Sequence, residues 1–320
     1  LSYLNFSFKT KNSKVKSKDK KAELEAKSSN RSIDFTPSYN TASFWSQFTS
    51  FYKINLYSII KSPTFIILFL FGLIIYFVGL SEGYEYYGLK SFPVTYKMVD
   101  RINSTSGIFV IIIMVFFSGE VIWRDRQSHI NEVIDATPHA SFSSLLGKVL
   151  AVFSAVSIIH LLFIALGILY QLLNGYTRLE LDVYFLSFLI DNLPNYLVWS
   201  MILVFIHVLI NQRYIGYFVS ILIFFLLDLL WLMFDVQSNM VSIGSTPLQS
   251  YSTMNGFGDA VTGALWFNLY WVLFASVLLT LAALMWTRGT VTLLKERFSI
   301  ASKLLKTKAG YAFFSLTIAW

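Results

Sequence analysis

The residues of this chain that could carry chemistry are few, and most lie in one polar stretch between two apolar runs. The chain has four histidines and no cysteine. His129 and His139 lie in that stretch at a spacing that matches no common metal site. His160 and His207 fall inside apolar runs, where buried, hydrogen-bonded roles are expected. No spacing of serine, histidine and acidic residues points to a catalytic triad. The sequence therefore predicts neither a metal site nor a catalytic site.

Two motifs that would make the chain an enzyme are absent from its sequence. The segment LLGKV contains a Gly-Lys pair but not the full phosphate-binding pattern G-x-x-x-x-G-K-[ST]. No H-E-x-x-H occurs, so the two zinc ligands and the general base of a metallopeptidase are missing. We expect that this chain alone neither hydrolyses ATP nor cleaves peptides, and that it binds no cofactor itself.

The composition is that of a membrane protein. Hydrophobic residues make up 55% of the 320 residues, and charged residues make up only 13%. Apolar runs of about 18 residues or more predict membrane-spanning helices, because lipid offers the backbone no hydrogen-bond partners. The six predicted spans are Pro63–Leu80, Gly107–Trp123, Val149–Leu173, Asn192–Ile210, Tyr214–Phe234 and Leu265–Trp286. Residues 309–320 are predicted to be the start of a seventh span that is cut short. We therefore expect this chain to be a segment of a longer polypeptide.

Lysine and arginine predict the orientation of these spans. If the N-terminus is cytoplasmic, all but four of the 25 basic residues lie on the cytoplasmic side. The four exceptions are Lys90, Lys97, Arg101 and Arg178. Because cytoplasmic loops carry the excess of basic residues, the sequence predicts a cytoplasmic N-terminus.

The segments outside the spans differ in character. Residues 1–42 are predicted to form a basic, disordered linker, since residues 9–27 are rich in lysine and serine without a core-forming pattern. No aromatic residues alternate with these lysines, so a nucleic-acid partner is not expected. Residues 43–61 predict an interfacial amphipathic helix that Lys61-Ser62-Pro63 should end or kink. Residues 287–308 predict a basic cytoplasmic helix.

The polar stretch Gly119–Lys148 is predicted to contain a short helix on the cytoplasmic side. Ile130, Val133 and Ile134 form an apolar stripe, and Ala136-Thr137-Pro138 should end the helix. We place this helix at about 126–137. Its pattern fits two interpretations equally well: a helix that receives a push from a soluble partner, or an ordinary helix that rests on lipid.

Three further features lie at or near the predicted spans. Glu120 is close to the inner border, where it could pair with Arg124 or with a basic residue of another span or subunit. Asp228 lies in the fifth predicted span, where a charge is costly, so it could line a pathway or pair with another helix. The loop 235–264 contains no lysine or arginine and is long for a simple connection.

The order of short motifs resembles the permeases of type-2 ABC exporters. The stretch SGEVIWRDRQSHINEVIDATP is followed by LLGK, QLLNGY, LPNYLVW, INQRYIGY, YSTMNGFG, WFNLYW and WTRG. This resemblance covers about residues 44–300. It is nearest to bacterial polypeptides that join two permease halves to a C-terminal zinc aminopeptidase-like domain, of which this chain would be the second half.

The resemblance implies an all-α, six-span permease in the bacterial inner membrane, with residues 43–61 as an elbow helix. A separate ATP-binding subunit, expected in two copies, would bind ATP and Mg and dock on the coupling helix; a second permease half would complete the pathway. Candidate coupling residues are Glu120, Arg124, Arg126, His129, Glu132 and Asp135. The loop 235–264 would hold short re-entrant helices of an outer gate, with candidate residues Met254, Asn255, Gly256 and Gly258.

Two other functions remain open from the sequence. An ion-coupled secondary transporter would need an ion-binding constellation at mid-membrane depth, for which Asp228 alone is weak support. A membrane scaffold that positions an attached peptidase-like domain or another partner could keep the same fold without transport. The substrate of a transporter is not identified by this sequence.

Overall fold

Helices form nearly all of the regular structure in this computed structural model. It describes residues 41–82, 85–86, 89–90, 92–210, 212–236, 238–248, 251–286 and 294–320. The predicted linker 1–42 lies almost wholly outside these residues, as do residues 287–293 of the predicted basic helix. The elements in chain order are α1 (Thr41–Ile60), α2 (Pro63–Glu82), β1 (Glu85–Tyr86), β2 (Leu89–Lys90), α3 (Thr95–Gln127), α4 (Ile130–Ala136), α5 (Ser141–Leu173), α6 (Leu181–Ser187), a π-helical turn (Phe188–Asn192), α7 (Leu193–Leu209), α8 (Arg213–Met233), α9 (Ala260–Met285), α10 (Leu294–Leu304) and α11 (Lys308–Ala319).

Several of these helices are long and apolar enough to cross a membrane. Within the described residues there are five, namely α3, α5, the continuous helix Leu181–Leu209, α8 and α9. The number is up to six if α1 and α2, which meet at a bend of 57°, are counted as one span. The predicted all-helical fold is confirmed, and these long apolar helices are compatible with a multi-pass membrane protein. The count of six spans stays a prediction.

The predicted second and third spans are parts of longer helices. The apolar run Gly107–Trp123 lies within α3, and Val149–Leu173 lies within α5; each helix has 33 residues. At 1.5 Å per residue each is about 50 Å long, whereas a hydrocarbon core is about 30 Å thick. Both helices therefore extend beyond the apolar run that the sequence pattern detects.

The core lies where α3, α5 and α7 pack against one another. Small and β-branched side chains at this contact have no exposed surface, among them Val121, Val152, Ala155 and Val204. Around this centre, α2 packs on α3, α8 on α3 and α7, and α9 on α7. The large apolar side chains of α8 are mostly exposed, including Phe218, Phe225 and Leu229. The bundle therefore leaves α8 at its edge.

The fourth predicted span, Asn192–Ile210, begins inside a longer helix that contains a π-helical turn. Phe188–Asn192 makes this turn between α6 and α7. A π-helical turn leaves a carbonyl without its usual helical partner. Asn268 Nδ2 on α9 donates a hydrogen bond to the Ile190 carbonyl at 2.6 Å. The side chain of Asn268 therefore satisfies the backbone where the helix is irregular.

The loop predicted as an outer gate is made of turns. Between Met233 and Ala260 the described residues contain no helix, so the re-entrant helices expected from the resemblance are absent from this part of the chain. Hydrogen bonds from α7 and α9 hold the loop to the bundle. Asn195 Nδ2 donates to the Gly244 carbonyl at 3.2 Å, Trp271 Nε1 donates to the Asn239 carbonyl at 3.2 Å, and the Tyr270 hydroxyl donates to the Met240 carbonyl at 3.4 Å. Gly244, Gly256 and Gly258 have positive φ, a backbone conformation of turns that glycine adopts without steric cost.

The last two helices return to the bundle. Within the predicted basic helix 287–308 the described residues form α10, and in the segment predicted to start a seventh span they form α11, a short apolar helix that packs on α9. The Trp320 ring lies 5.7 Å from that of Tyr270 and 5.2 Å from that of Phe274. Trp320 follows the last residue of α11, whereas Tyr270 and Phe274 lie in the first 15 residues of α9. The two helices therefore run antiparallel.

Candidate functional site

Most of the predicted coupling residues lie at one end of the bundle, which we call the basic end. Here α3 ends, α4 connects it to the start of α5, α7 ends, α8 begins and α9 ends. Side chains from all of these elements meet here. They include residues of the motifs GEVIWRDR, LLGK, INQRYIGY and WTRG, which are far apart in the sequence.

The helix predicted at about 126–137 is shorter in the structure and is separate from α3. His129 has φ of 56°, a left-handed backbone conformation that interrupts the helix between Gln127 and Ile130. The helix itself is Ile130–Ala136 rather than 126–137, and it ends before Thr137-Pro138 as the sequence predicted. Arg126 consequently belongs to α3.

The α4 helix has no buried residue and presents an apolar surface bordered by charge. Ile130 is 52% exposed and Val133 is 70% exposed. His129 Nδ1 lies 3.6 Å from Glu132 Oε1, and both side chains are largely exposed. Only two residues separate α3 from α4, and four separate α4 from α5. A force on this small helix would therefore act directly on two 33-residue helices.

Glu120 pairs with a neighbouring helix rather than with Arg124. Arg213 Nη2 on α8 lies 3.2 Å from Glu120 Oε2, and its Nη1 donates to Gln127 Oε1 at 2.7 Å. Of the two alternatives left open by the sequence, the structure supports a basic residue of another helix. One arginine therefore holds the beginning of α8 to two positions of α3 that are about two turns apart.

Arg126 lies between two indole rings. Its guanidinium carbon is 5.2 Å from the ring centroid of Trp123 and 5.4 Å from that of Trp286. Cation–π contacts of this kind contribute about 0.5–2 kcal/mol each. Because Trp286 directly follows α9, Arg126 connects the end of α3 with the end of α9.

Lys148 and Asp125 form an ion pair inside the basic end. Lys148 Nζ is 2.5 Å from Asp125 Oδ2, and the Lys148 side chain is 2% exposed. The same ammonium donates to the Val121 carbonyl. A buried charge requires such partners, because desolvation costs several kcal/mol per ion. The pair fixes the first turns of α5 against the last turns of α3.

His207 is enclosed where α3, α7 and α8 cross. Trp123 Nε1 donates to His207 Nδ1 at 3.3 Å, which places the proton of the neutral ring on Nε2, 3.4 Å from Ser220 Oγ. A Cβ atom on Gly119 would lie 2.8 Å from His207 Cε1, and one on Gly216 would lie 2.6 Å from Nδ1. Both positions therefore need glycine for the three helices to pack this closely. His207 has the buried, hydrogen-bonded role expected of it.

The α1 helix contacts α3, α5 and the segment between α4 and α5 at the basic end. It packs along α5, where a Cβ on Gly147 would lie 2.9 Å from Phe51 Cβ. Its Asn55 accepts a hydrogen bond from Arg124 Nη2 at 3.1 Å. Gln47 Oε1 accepts one from the Ala140 amide at 3.3 Å, just after α4. The apolar face that the sequence pattern assigned to the membrane interface thus packs largely on protein, and the polar Asn55 is buried within it.

Arg297 of α10 holds the ends of two helices. It donates to the carbonyls of Leu209 at 3.1 Å, Val208 at 2.5 Å and Met285 at 3.0 Å. These carbonyls lie in the last turns of α7 and α9, which have no helical partners of their own. Burial lowers the pKa of the Arg297 guanidinium, which nevertheless stays charged at neutral pH.

The candidate gate residues are at the opposite end of the bundle, in a tight turn. Ser252 and Gly256 exchange backbone hydrogen bonds of 2.9 and 2.7 Å. Met254 projects from this turn and is 97% exposed. A Cβ on Gly258 would come within 2.8 Å of Asn255 Nδ2. The turn is therefore compact, with Met254 at its tip.

A second buried polar group lies near this opposite end. The Tyr196 hydroxyl is 2.8 Å from His160 Nδ1 and donates to Asn192 Oδ1 at 3.2 Å. Asn192 Nδ2 in turn donates to Asn103 Oδ1 at 3.2 Å. The group joins α3, α5 and the π-helical turn. Asp228 lies on α8, and its side chain is outside the described residues.

Sequence reasoning missed several residues that organise the basic end, namely Asn55, Asp125, Lys148, Arg213 and Arg297. A polar or charged residue at the border of an apolar run was the available signal, but it does not identify a partner. Within the described residues, no group of three histidine or acidic side chains could hold a metal ion.

No protein-family model matches this chain, and neither a curated protein nor a solved structure matches it. The family resemblance therefore rests on the motifs themselves.

Proposed function

We propose that this chain is a permease half of an ATP-driven exporter of the type-2 ABC class, in the bacterial inner membrane with its N-terminus in the cytoplasm. In this proposal α4 is the coupling helix, on which a separate ATP-binding subunit docks. That subunit binds ATP and Mg, and two copies serve two permease halves. The second half is either another part of the same polypeptide or another chain.

The observation that carries this proposal is the surface of α4. An isolated helix of seven residues with no buried side chain contributes little to the stability of this chain. Its exposed Ile130 and Val133 would be costly in water and favourable in an interface. The polar residues beside them, His129 and Glu132, would orient a partner.

The packing of the basic end supports a mechanical role for this helix. The Lys148–Asp125 pair and the Arg213–Glu120 pair connect α3 to α5 and to α8. Arg126 connects α3 to Trp286 after α9. A push on α4 would thus reach the other helices through rigid contacts. ATP binding would shift the permease between inward- and outward-facing arrangements if the partner contacts α4 differently in each.

The edge position of α8 supports the second permease half. Its exposed apolar residues, such as Phe218 and Phe225, need lipid or another protein against them. The loop 235–264 is proposed as the outer gate, and Asp228 as a pathway residue on α8. In the described part of the chain this gate would consist of turns anchored to α7 and α9 rather than of re-entrant helices.

Docking is tested by co-purification from the native membrane. The tagged chain is purified, and ATP-binding partners are identified by photo-crosslinking to an azido-ATP. We expect Val133→Asp to lower the amount of ATP-binding subunit about tenfold or more, because burying a valine contributes about 1.5–3 kcal/mol. Ser302→Asp, which adds the same charge on exposed α10, is the control and should retain the subunit.

The opposite results would redirect the interpretation. If no ATP-binding protein accompanies the wild-type chain, the chain is a scaffold or a secondary transporter. If Val133→Asp retains as much of the subunit as Ser302→Asp does, docking occurs on another surface.

A further inference from the structure

A groove separates α1 from α4 at the basic end. Its volume is about 840 Å³, within the range of about 300–1,000 Å³ that is typical of small-molecule sites. One wall is the outward face of α1, opposite the face that packs on α5. The other wall is formed by the last turns of α3 and by α4.

The surface of the groove is mainly apolar. Ile54 and Tyr57 on α1 face Ile130 and Ile134 on α4 across it. Ile54, Tyr57 and Ile130 are each more than half exposed. An apolar surface of this kind favours an apolar occupant over water.

The charge at the groove is positive. Lys53 and Arg124 line it, together with one acidic residue, Asp125. The carboxylate of Asp125 is already paired with Lys148 at 2.5 Å. Asn55 holds Arg124 in place through one of its five N–H groups. Arg124 Nε also lies 3.7 Å from Asp125 Oδ1, so this one carboxylate is shared by Arg124 and Lys148. With Lys53 added, the groove keeps a net positive charge beside its apolar surface.

The groove also lies at the depth where a lipid headgroup would be. It is beside the bend of 57° between α1 and α2, directly before an apolar helix. Lys61 at this bend lies over the Tyr57 ring, with its Nζ 4.2 Å from the ring centroid. Lysine and aromatic residues at the end of an apolar helix are typical of the membrane–water boundary.

We propose that this groove binds an anionic phospholipid. Its phosphate would lie between Lys53 and Arg124, and one acyl chain would lie along Ile54 and Tyr57. Charge complementarity favours this occupant over a neutral lipid, and the apolar surface favours it over free phosphate. The proposal requires that the bundle lies in a membrane. It does not require an ATP-binding subunit, so it can fail or succeed separately from the proposed function.

Lipid retention by the full chain tests this proposal. The protein is purified from nanodiscs of phosphatidylcholine mixed with phosphatidylglycerol, and the lipids that remain bound are counted by native mass spectrometry. Lys53→Gln removes one charge of the groove, and Ser128→Trp fills its space without changing its charge. Lys303→Gln on exposed α10 removes an equal charge elsewhere. The basic residues before Thr41 are the same in every variant.

We expect wild type and Lys303→Gln to retain phosphatidylglycerol in preference to phosphatidylcholine. Lys53→Gln should lower this retention about fivefold, which corresponds to about 1 kcal/mol for one cation near an anionic lipid. Ser128→Trp should lower retention of phosphatidylglycerol by a similar factor or more.

Two results would overturn the proposal. Equal retention of both lipids by wild type would show that the cations recognise no headgroup. Unchanged retention in both groove variants would mean that lipid does not occupy this groove, and would leave it to a peptide segment or a protein partner.

Discussion

The ammonium group of Lys148 lies inside the bundle, where it contacts the Asp125 carboxylate and the Val121 carbonyl. A lysine this deeply buried is stable only with its partner, since removal of one member of a buried pair leaves an uncompensated charge. Its place near the start of α5 means that the pair controls how the segment after α4 joins the bundle. This ion pair is therefore central to the rigidity of the basic end.

We predict that Asp125→Ala destabilises the protein by about 3–5 kcal/mol, the usual cost of breaking a buried ion pair. The double variant Asp125→Ala/Lys148→Met should recover most of this loss, because no buried charge is left unpaired; Arg124, which also lies 3.7 Å from the Asp125 carboxylate, is partly exposed. Thermal unfolding in detergent, followed by circular dichroism, measures both. Glu296→Ala, at an exposed position of α10, is the control. An unchanged unfolding temperature in Asp125→Ala would contradict the role of the pair.

The sequence identified these charged residues only in part. Glu120 stood out because it lies next to an apolar run, yet its partner Arg213 is 93 residues away and on another helix. In the sequence, Lys148 lies at the border of a predicted span and Asp125 lies between two arginines, and neither position indicates that the two residues pair. Pairing of this kind depends on which helices are neighbours, and a single sequence gives no information about that.

At the scale of the elements, close contact of helices depends on glycine. Gly119 on α3 and Gly216 on α8 both lie against His207 of α7. Tyr217 adds an edge-to-face contact, with its ring 5.0 Å from the imidazole. Larger side chains would separate the three helices just where Arg213 and Trp123 connect them. Close packing of the three helices around His207 is therefore one reason why the motifs contain glycine at these positions.

We predict that Gly216→Ala destabilises the protein by about 1–3 kcal/mol, because the added Cβ would lie 2.6 Å from His207 Nδ1. Gly107→Ala is the matched control, since a Cβ there meets nothing within 4 Å and alanine favours a helix by up to about 1 kcal/mol. The unfolding temperatures of the two variants should therefore shift in opposite directions. Equal shifts would mean that the space around His207 adapts to an added methyl group.

The helices themselves were largely predictable, and their ends less so. Lys61-Ser62-Pro63 correctly indicated the break between α1 and α2, and Thr137-Pro138 the end of α4. The start of α3 at Thr95 was missed because hydropathy detects the part of a helix that is apolar, not the polar turns that continue it. The π-helical turn at Phe188–Asn192 has no sequence signal that we recognised, since its stability comes from Asn268 on a distant helix.

For the whole molecule, the two ends of the bundle differ in charge and in structure. The basic end carries the paired arginines and lysines together with exposed α4, while the opposite end carries the turns around Met254. If basic segments face the cytoplasm, Glu132 and Met254 lie on opposite sides of the membrane. Because the chain has no cysteine, single introduced cysteines can report on this without background.

We predict that Met254→Cys reacts with a membrane-impermeant maleimide in spheroplasts. In the proposed inner-membrane orientation, Glu132→Cys should react only after the membrane is opened, although the Glu132 side chain is 62% exposed. The cysteine-free chain is the control for background labelling. Reaction of both cysteines from the same side, or the reverse pattern, would contradict the predicted orientation.

We propose that the movement of the ATP-binding subunits during ATP hydrolysis reaches the membrane helices through α4. The most direct measurement is the ATPase rate of the co-purifying subunit in liposomes, with and without this chain. We predict that wild type and Ser302→Asp raise the rate, and that Val133→Asp leaves it at the level of the subunit alone. A rate that does not depend on this chain, or that Val133→Asp raises as much as wild type does, would contradict the claim.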